Sequence, residues 1–249
     1  MLPLATLASA APLECKQAPQ GRKIVLAELF SSEGCDSCPP AERAFNGLQP
    51  GGELVPLVWH VDYFDGPGWK DRFALAESSR RHLELAQAQG GKPLVATPQV
   101  FLDGRAFADW RDARALRSRV LRGAAAEPVL TLWLPRIERV GDALQVQVQV
   151  GGSVSPGAVQ WRAAWVQSGL SSQVSGGENQ GLTLHHQHVV RAGTGLLLAP
   201  APAQAAAARP LAMRLPLPEP APVGEIGIVV WAQDAAARTL AATWALCPL

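Results

Sequence analysis

The stretch from Leu26 to Pro40 constrains the fold most strongly, because it joins an apolar segment to a Cys-x-x-Cys motif. The apolar residues predict a buried strand, and a loop of small residues separates that strand from Cys35 and Cys38. Two prolines follow, and a helical pattern begins at about Ala41. Backbone N–H groups and the dipole at a helix start stabilise a thiolate and lower the pKa of a cysteine placed there. The stretch therefore predicts a disulfide-exchange site on a strand–loop–helix unit.

Two other interpretations of Cys35 and Cys38 stay open, namely half of a zinc site and an inert structural disulfide. A structural zinc ion needs four ligands, usually with a second Cys or His pair at short spacing. The other cysteines, Cys15 and Cys247, are isolated near the two ends of the chain. The pattern therefore favours redox chemistry over a metal.

The composition is typical of a globular protein rich in loops. The chain has 249 residues, of which 48% are apolar, with 21 prolines and 23 glycines, and this length supports one large or two ordinary domains. The 22 basic and 21 acidic residues create no overall field that attracts nucleic acid or an anionic membrane. No apolar run approaches the length of a membrane span. We expect neither a nucleic-acid partner nor a membrane span, and no cofactor.

The first residues resemble the end of a secretory signal. Ala8 and Ala10 fit the small-x-small cleavage pattern, although the basic region that normally precedes it is missing. The alternative is an apolar N-terminal arm over residues 1–21. We favour export, and therefore a periplasmic or secreted protein.

Residues 22–127 predict an α/β domain. The predicted order is strand, helix, strand, helix, hairpin and helix, at Ile24–Phe30, Ala41–Leu48, Leu54–Val61, Asp71–Gln89, Thr97–Phe107 and Asp112–Ala126. This is the order of the thioredoxin fold. Thr97-Pro98 resembles the threonine–cis-proline of thioredoxins and glutaredoxins, which faces the Cys-x-x-Cys motif, and we expect this peptide bond to be cis.

Residues 128–249 predict an all-β sandwich-like domain. A period-two strand at Leu144–Val150 is the clearest of several short strand patterns, which include one at Leu182–Arg191. Pro200–Pro210 is an Ala/Pro-rich loop of low complexity. His186 and His188 share one face of the predicted strand and suggest a metal, but no further ligand is evident and an ordinary polar strand face is the simpler interpretation.

His60 and Asp62 are predicted to flank the thiols. Parallel strands of a βαβ unit end at the same edge of the sheet, so the turn after the second strand lies beside the Cys-x-x-Cys loop. His60 can move the proton that thiol exchange requires, and Glu28 or Asp62 can orient it or relay that proton. The alternative for His60 and Asp62 is a structural role, in which they hold the long loop by hydrogen bonds.

Several motifs indicate a particular family with a thioredoxin-like fold. The chain resembles the bacterial family called domain of unknown function 1223 at Glu28–Glu42, His60–Tyr63, Gly68–Asp71, Thr97–Gln99, Gly177–Gly181 and His188–Arg191. This resemblance implies secretion, a thioredoxin-like fold and a dithiol site, but no particular substrate.

The predicted function is that of an exported thiol–disulfide oxidoreductase acting on a protein or a small thiol. Cys35, nearer to solvent, is the attacking thiolate, Cys38 resolves the mixed disulfide, and Thr97-Pro98 shapes the partner groove. One alternative is a copper or other metal chaperone that uses Cys35, Cys38 and His60, since soft thiolates suit Cu(I). Another is a non-enzymatic binding protein with a structural Cys pair.

Cys15 and Cys247 predict a second disulfide. Four cysteines allow three connectivities, and the tight Cys-x-x-Cys spacing favours Cys35 with Cys38. The remaining thiols of an exported chain tend to be bridged, and chain ends often lie near each other. We therefore expect a structural Cys15–Cys247 bridge, with two free thiols as the alternative.

Overall fold

The structure is a computed structural model that describes residues 11–66, 68–152, 159–193, 210–218 and 222–249. The small-x-small motif and most of the Ala/Pro-rich loop lie outside the described residues. The described strands are β1 (Lys16–Gln17), β2 (Val25–Ser31), β3 (Leu54–His60), β4 (Gln99–Leu102), β5 (Arg105–Ala106), β6 (Leu130–Val140), β7 (Ala143–Gly152), β8 (Gln160–Gln167), β9 (Leu170–Gln173), β10 (Thr183–His186), β11 (Val189–Gly193), β12 (Leu211–Pro216), β13 (Glu225–Gln233) and β14 (Thr239–Pro248). The described helices are α1 (Pro39–Asn46), α2 (Ala76–Ala88) and α3 (Ala113–Ala124).

A single mixed sheet of nine strands runs through the molecule in the order β1-β14-β13-β8-β11-β3-β2-β4-β5. The pairs β2–β3 and β3–β11 are parallel, and the other neighbours are antiparallel. In the first parallel pair, Ser31 lies opposite His60, so both strands end at the same edge of the sheet. This edge carries the Cys-x-x-Cys loop.

The predicted fold class, an α/β thioredoxin-like domain followed by a separate all-β sandwich-like domain, is wrong. Strands make up 43% of the structure and helices 15%, and strands from both sides of residue 128 share the nine-stranded sheet. The physical reason lies at the edge of β3. Its unpaired backbone groups would form an exposed sheet edge, and β11 covers them through Val189, which pairs with Val58.

A second, three-stranded sheet in the order β12-β7-β6 packs on the β8–β13–β14 part of the large sheet. Alternate residues of β7 point into this contact, as the period-two pattern predicts: Leu144, Val146, Val148 and Val150 are all buried there. On the other part of the large sheet, one face packs with Leu85 of α2, and the opposite face packs with α1 and α3.

Local sequence accounts for the helix ends and for a break in one predicted strand. Pro39 begins α1, where its missing N–H has no helical partner to lose. The Asp112 side chain accepts hydrogen bonds from the amides of Arg114 and Ala115 at the start of α3. The strand predicted at Leu182–Arg191 is two strands, because His188 has a positive φ of 58° between β10 and β11.

None of the described helices is long and apolar enough to cross a membrane.

Candidate functional site

The Cys35–Cys38 disulfide closes the loop between β2 and α1. Cys38 is the residue immediately before the helix, and its carbonyl oxygen accepts hydrogen bonds from the amides of Ala41 and Glu42 at 2.9 and 3.1 Å. Both cysteines are buried, since only 2% of Cys35 and none of Cys38 is exposed. Cys35 is therefore more enclosed than its position in the sequence predicts.

Thr97 and Pro98 lie directly beside the disulfide. The carbonyl oxygen of Thr97 is 3.6 Å from Cys35 Sγ, and the peptide bond to Pro98 is cis, as predicted. The register of β4 explains this position. Gln99 pairs with Phe30 of antiparallel β2, so the residues before Gln99 lie next to those that follow β2.

A segment from the second half of the chain, residues 174–182, covers the disulfide loop. The Asn179 side-chain amide is buried and donates hydrogen bonds to the carbonyl oxygens of Glu33 and Cys35 at 2.9 and 2.8 Å. The Glu178 carboxylate accepts a hydrogen bond from the Asp36 amide at 2.9 Å. These contacts explain why Cys35 is buried.

The covering segment approaches the neighbouring loop so closely that it requires glycine. A Cβ on Gly176 would lie 1.8 Å from the carbonyl oxygen of Gly68, which no side chain can occupy. Gly177 has a positive φ of 73° and lies beside Gly34 and Trp69. Three backbone segments therefore meet at the disulfide.

His60 lies at the end of β3 and belongs to a buried polar cluster. Its Nδ1 is 2.6 Å from Asp71 Oδ2, and Asp71 also accepts hydrogen bonds from the amides of Glu33 and Phe73. His60 Nε2 has no hydrogen-bond partner among the described residues, and the carboxylate oxygen Oε1 of Glu42 lies 4.0 Å from it. The ring thus has one strong contact and one nitrogen that is buried without a partner.

Glu42 and His186 complete the cluster. Glu42, in the first turn of α1, accepts a hydrogen bond from the Ser31 hydroxyl at 2.5 Å, and its other oxygen is 2.5 Å from Nδ1 of His186. His186 ends β10, and its Nε2 is 3.1 Å from Glu33 Oε1. His60 and His186 are fully buried, and their ring centroids are 5.0 Å apart.

The electrostatics of the cluster favour its charged forms. Burial lowers the pKa of His186, but the hydrogen bonds to Glu33 and Glu42 outweigh burial and raise the pKa to about 9. Burial also lowers the pKa of His60, and the nearby Asp71 carboxylate outweighs it, so the net direction is upward. Burial raises the pKa values of Glu42 and Asp71, but contacts with the histidines bring both below their usual range.

Comparisons with known proteins identify the family. A model described as "Protein of unknown function (DUF1223)" matches residues 26–233. The chain belongs to this family. No curated protein matches the sequence.

Two solved structures share the fold of this DUF1223 chain. Protein AGR_C_4864 from Agrobacterium tumefaciens is 24% identical, with a TM-score of 0.61 over 90% of this chain and 93% of that one. HBP35 of Porphyromonas gingivalis is 13% identical, with a TM-score of 0.65 over 90% of this chain and 74% of that one. At these identities the likeness concerns the fold alone.

The region that matches the DUF1223 model contains five residues whose place at this site the sequence did not predict, namely Glu33, Glu42, Asp71, Asn179 and His186. All five lie within motifs or residues already singled out, but no local pattern indicates that they meet. The signal available in the sequence was the Gly177–Gly181 motif, whose position in the fold only the structure reveals.

Two residues predicted for the site have other partners in this DUF1223 structure. Glu28 lies in the middle of β2 and forms an ion pair with Arg81, with Arg81 Nη2 2.9 Å from Glu28 Oε2. The Asp62 carboxylate accepts a hydrogen bond from the Ser79 hydroxyl of α2. Glu28 thus holds α2 against β2, and Asp62 holds it against the loop that follows β3. Of the three predicted proton carriers, which are Glu28, His60 and Asp62, only His60 lies in the buried cluster.

His186 and His188, for which the sequence raised a metal hypothesis but favoured an ordinary polar strand face, point to different places in the structure. His186 points into the buried cluster, whereas His188 Nε2 contacts the carbonyl oxygen of Leu48 at 2.9 Å. The positive φ of His188 reverses the alternation that would put both side chains on one face.

We expect His82 to make the protein sensitive to acid. Its ring stacks on Phe30 and lies 2.5 Å from Gln99 Oε1, and burial lowers its pKa to about 4. Below a pH of about 6.5 the unfolded chain binds a proton at this residue while the folded chain does not, so stability falls as the pH drops from about 6.5 towards 4. The difference between a pKa of about 6.5 in the unfolded chain and about 4 in the folded chain corresponds to a loss of about 3 kcal/mol in the free energy of unfolding.

The measurement is the free energy of unfolding at several pH values between 4 and 7, for the wild type and for His82→Gln. The variant should lose stability less steeply, and the exposed His185→Gln should behave like the wild type. Parallel curves for His82→Gln and the wild type would contradict the prediction.

Proposed function

We propose that this protein exchanges disulfides with a thiol-bearing partner, either a protein or a small thiol, through Cys35 and Cys38. The observation that carries the proposal is the disulfide itself, formed at the start of α1 with the Thr97 carbonyl 3.6 Å from Cys35 Sγ. The helix start stabilises a thiolate released by reduction of this bond. The backbone of Thr97, which is half-buried and lies just before the start of β4, offers a place for a partner chain.

The exchange proceeds in two steps. A partner thiolate attacks Cys35 Sγ, the bond between Cys35 and Cys38 breaks, and Cys38 leaves as a thiolate. A second partner thiolate then attacks the mixed disulfide, Cys35 leaves, and the partner acquires the disulfide. Two electrons pass from the partner to the protein, and the reverse sequence passes them back.

Access to the disulfide depends on the covering segment, residues 174–182. Cys35 is 2% exposed beneath it, so the partner reaches the sulfur when this segment moves aside. Its polar contacts with the disulfide loop are the two hydrogen bonds from Asn179 and the one accepted by Glu178. A partner that offers equivalent hydrogen bonds to the Glu33 and Cys35 carbonyl oxygens can replace them.

Export is part of the proposal. Two disulfides, Cys15–Cys247 and Cys35–Cys38, are compatible with an oxidising compartment. We infer a periplasmic or secreted location, which fractionation of cells that express the full chain would test.

Single cysteine variants test the exchange mechanism. We expect Cys38→Ser, incubated with oxidised glutathione, to form a stable mixed disulfide on Cys35, because the resolving thiol is absent. Cys35→Ser should form the adduct at least ~10-fold more slowly, because its remaining thiol, Cys38, lies at the residue directly before α1, whereas Cys35 lies under the covering segment that moves aside. Mass spectrometry measures both adducts, and the Cys15–Cys247 bridge remains as an internal reference.

The reduction potential of the Cys35–Cys38 pair gives an independent test. Exchange proteins have potentials between about −270 and −120 mV, whereas structural disulfides lie below about −300 mV. We expect a value in the first range after equilibration with glutathione. A value below about −300 mV, or equal reactivity of the two single variants, would refute the exchange function.

A further inference from the structure

We propose that Glu42, His60 and His186 form a buried binding site for a divalent transition-metal ion of the Zn²⁺ type. The site contains no thiolate, because both nearby sulfurs are in the disulfide. It therefore differs from the Cys35–Cys38–His60 copper site that the sequence suggests as an alternative, and it does not depend on thiol exchange.

The ligand atoms lie close enough to meet a single ion. One nitrogen from each histidine and one carboxylate oxygen of Glu42 all lie within 4.8 Å of one another, and His60 Nε2 is 4.0 Å from Glu42 Oε1. A tetrahedral ion with bonds of about 2.0–2.1 Å holds its ligand atoms roughly 3.4 Å apart. Side-chain shifts of about 1 Å or less, spread over three residues, close the difference.

His60 Nε2 points into this space without a partner. His60 is fully buried, and within the described part of the chain this nitrogen makes no hydrogen bond. A buried polar atom without a partner is costly, and such atoms usually mark an ion, a water or a functional role. A metal ion between His60 and Glu42 would satisfy this nitrogen.

The surrounding contacts are those that hold metal ligands in place. Each histidine turns one ring nitrogen towards Glu42 and the other towards a second carboxylate, which is Asp71 for His60 and Glu33 for His186. Carboxylates that hydrogen-bond the far nitrogen of a ligating histidine fix the orientation of the ring and strengthen it as a ligand. The Ser31 hydroxyl fixes Glu42 in the same way.

The donor set selects the class of metal. Two imidazole nitrogens and one carboxylate suit Zn²⁺ and its neighbours, whereas Ca²⁺ and Mg²⁺ prefer oxygen ligands and Cu(I) prefers soft sulfur. Three carboxylates are buried around the two imidazoles, so a divalent cation also supplies positive charge where the protein has gathered negative charge.

A small cavity lies beside the site. Its volume is about 120 Å³, and it lies between α1 and β10, with Glu42, Asn46, Thr183 and Leu184 in its walls. Glu42 therefore lines this cavity and also contacts His186.

The test is a calorimetric titration of the oxidised, chelator-treated full chain with ZnCl₂, after a thiol assay has shown that no free cysteine is present. We expect one Zn²⁺ per chain and no response to MgCl₂. His60→Gln, His186→Gln and Glu42→Gln should each weaken binding by at least ~100-fold, and Asp71→Asn by roughly 10- to 100-fold. His185→Gln is the matched control, because this exposed neighbour of His186 should leave binding unchanged.

A second readout uses the wild type and does not depend on whether the variants fold. Histidine ring resonances in an NMR titration with ZnCl₂ should shift for His60 and His186, while those of the exposed His185 should stay. Absence of Zn²⁺ binding to the oxidised wild type, unchanged His60 and His186 resonances, or undiminished binding in folded His60→Gln would each overturn the proposal.

Discussion

Replacing Arg81 by methionine should lower the free energy of unfolding by about 3–5 kcal/mol, since it leaves a buried carboxylate without its partner. Arg81 Nε and Nη2 donate to the two oxygens of Glu28 at 3.0 and 2.9 Å, and neither side chain is exposed to solvent. Urea unfolding at pH 7 measures the change.

The position of Arg81 adds to the expected loss. Its Nη1 also donates to Gln233 Oε1 at 2.8 Å and to Glu84 Oε1 at 3.1 Å, and its guanidinium lies 5.7 Å from the ring centre of Trp231. One side chain on α2 thus binds residues of β2 and β13, which are separated by more than 190 positions in the sequence. Its removal takes the paired cation from the buried Glu28 carboxylate and one hydrogen bond each from Glu84 and Gln233. Gln233 still donates to Glu84, and Trp231 still donates to Gln233.

Two controls separate the ion pair from a general loss of packing. Glu28→Leu combined with Arg81→Met should recover at least half of the loss, because no unpaired charge remains buried. Arg80→Met changes an exposed arginine on the same helix and should alter stability by less than about 0.5 kcal/mol. A loss below about 1 kcal/mol for Arg81→Met would contradict the prediction.

Removing the Cys15–Cys247 disulfide should cost about 4 kcal/mol. The bridge joins residues 232 positions apart, and a loop of that length restricts the unfolded chain by roughly 5 kcal/mol in the entropy model, which is an upper figure. Cys247 is fully buried in β14, so both cysteines should be replaced by alanine rather than serine, which would bury a hydroxyl group.

The same variant should loosen the N-terminal residues. β1 has two residues and pairs with β14, where Lys16 lies opposite Leu246 and Gln17 opposite Ala245. Urea unfolding of the Cys15→Ala, Cys247→Ala variant measures the stability, and limited proteolysis between residues 11 and 22 measures the loosening. Cys35–Cys38 is present in both proteins and serves as the reference. A change below about 1 kcal/mol would show that the bridge does not stabilise the fold.

Local patterns predicted most elements well. The strand predicted at Ile24–Phe30 is β2 at Val25–Ser31, and the helix predicted at Asp112–Ala126 is α3 at Ala113–Ala124. Both disulfides and the cis bond before Pro98 also occur as predicted. The elements and the Cys35–Cys38 pair depend on periodicity, capping and cysteine spacing, which are properties of neighbouring residues. The cis bond was instead predicted from the resemblance to thioredoxins, and the second bridge from the two cysteines that remained.

The layout of the sheet did not follow from the same patterns. A strand pattern shows which residues alternate but does not identify the strand that pairs with it, because pairing depends on packing and burial across the whole molecule. The parallel pairing of β3 with β11 joins residues 58 and 189 and converts two predicted domains into one continuous sheet. The fold class was therefore predicted wrongly although its elements were recognised.

The candidate site likewise combines features that the sequence predicts with features that only the tertiary structure shows. The sequence alone determined the dithiol, since two cysteines at this spacing before a helix are a local feature, together with Thr97-Pro98 and the second bridge. Only the tertiary structure decided that Glu42 of α1, His60 of β3 and His186 of β10 meet within 4.8 Å and that Asn179 covers the disulfide loop. Contacts between residues more than 140 positions apart arise from the closing of the sheet, and no local periodicity encodes them.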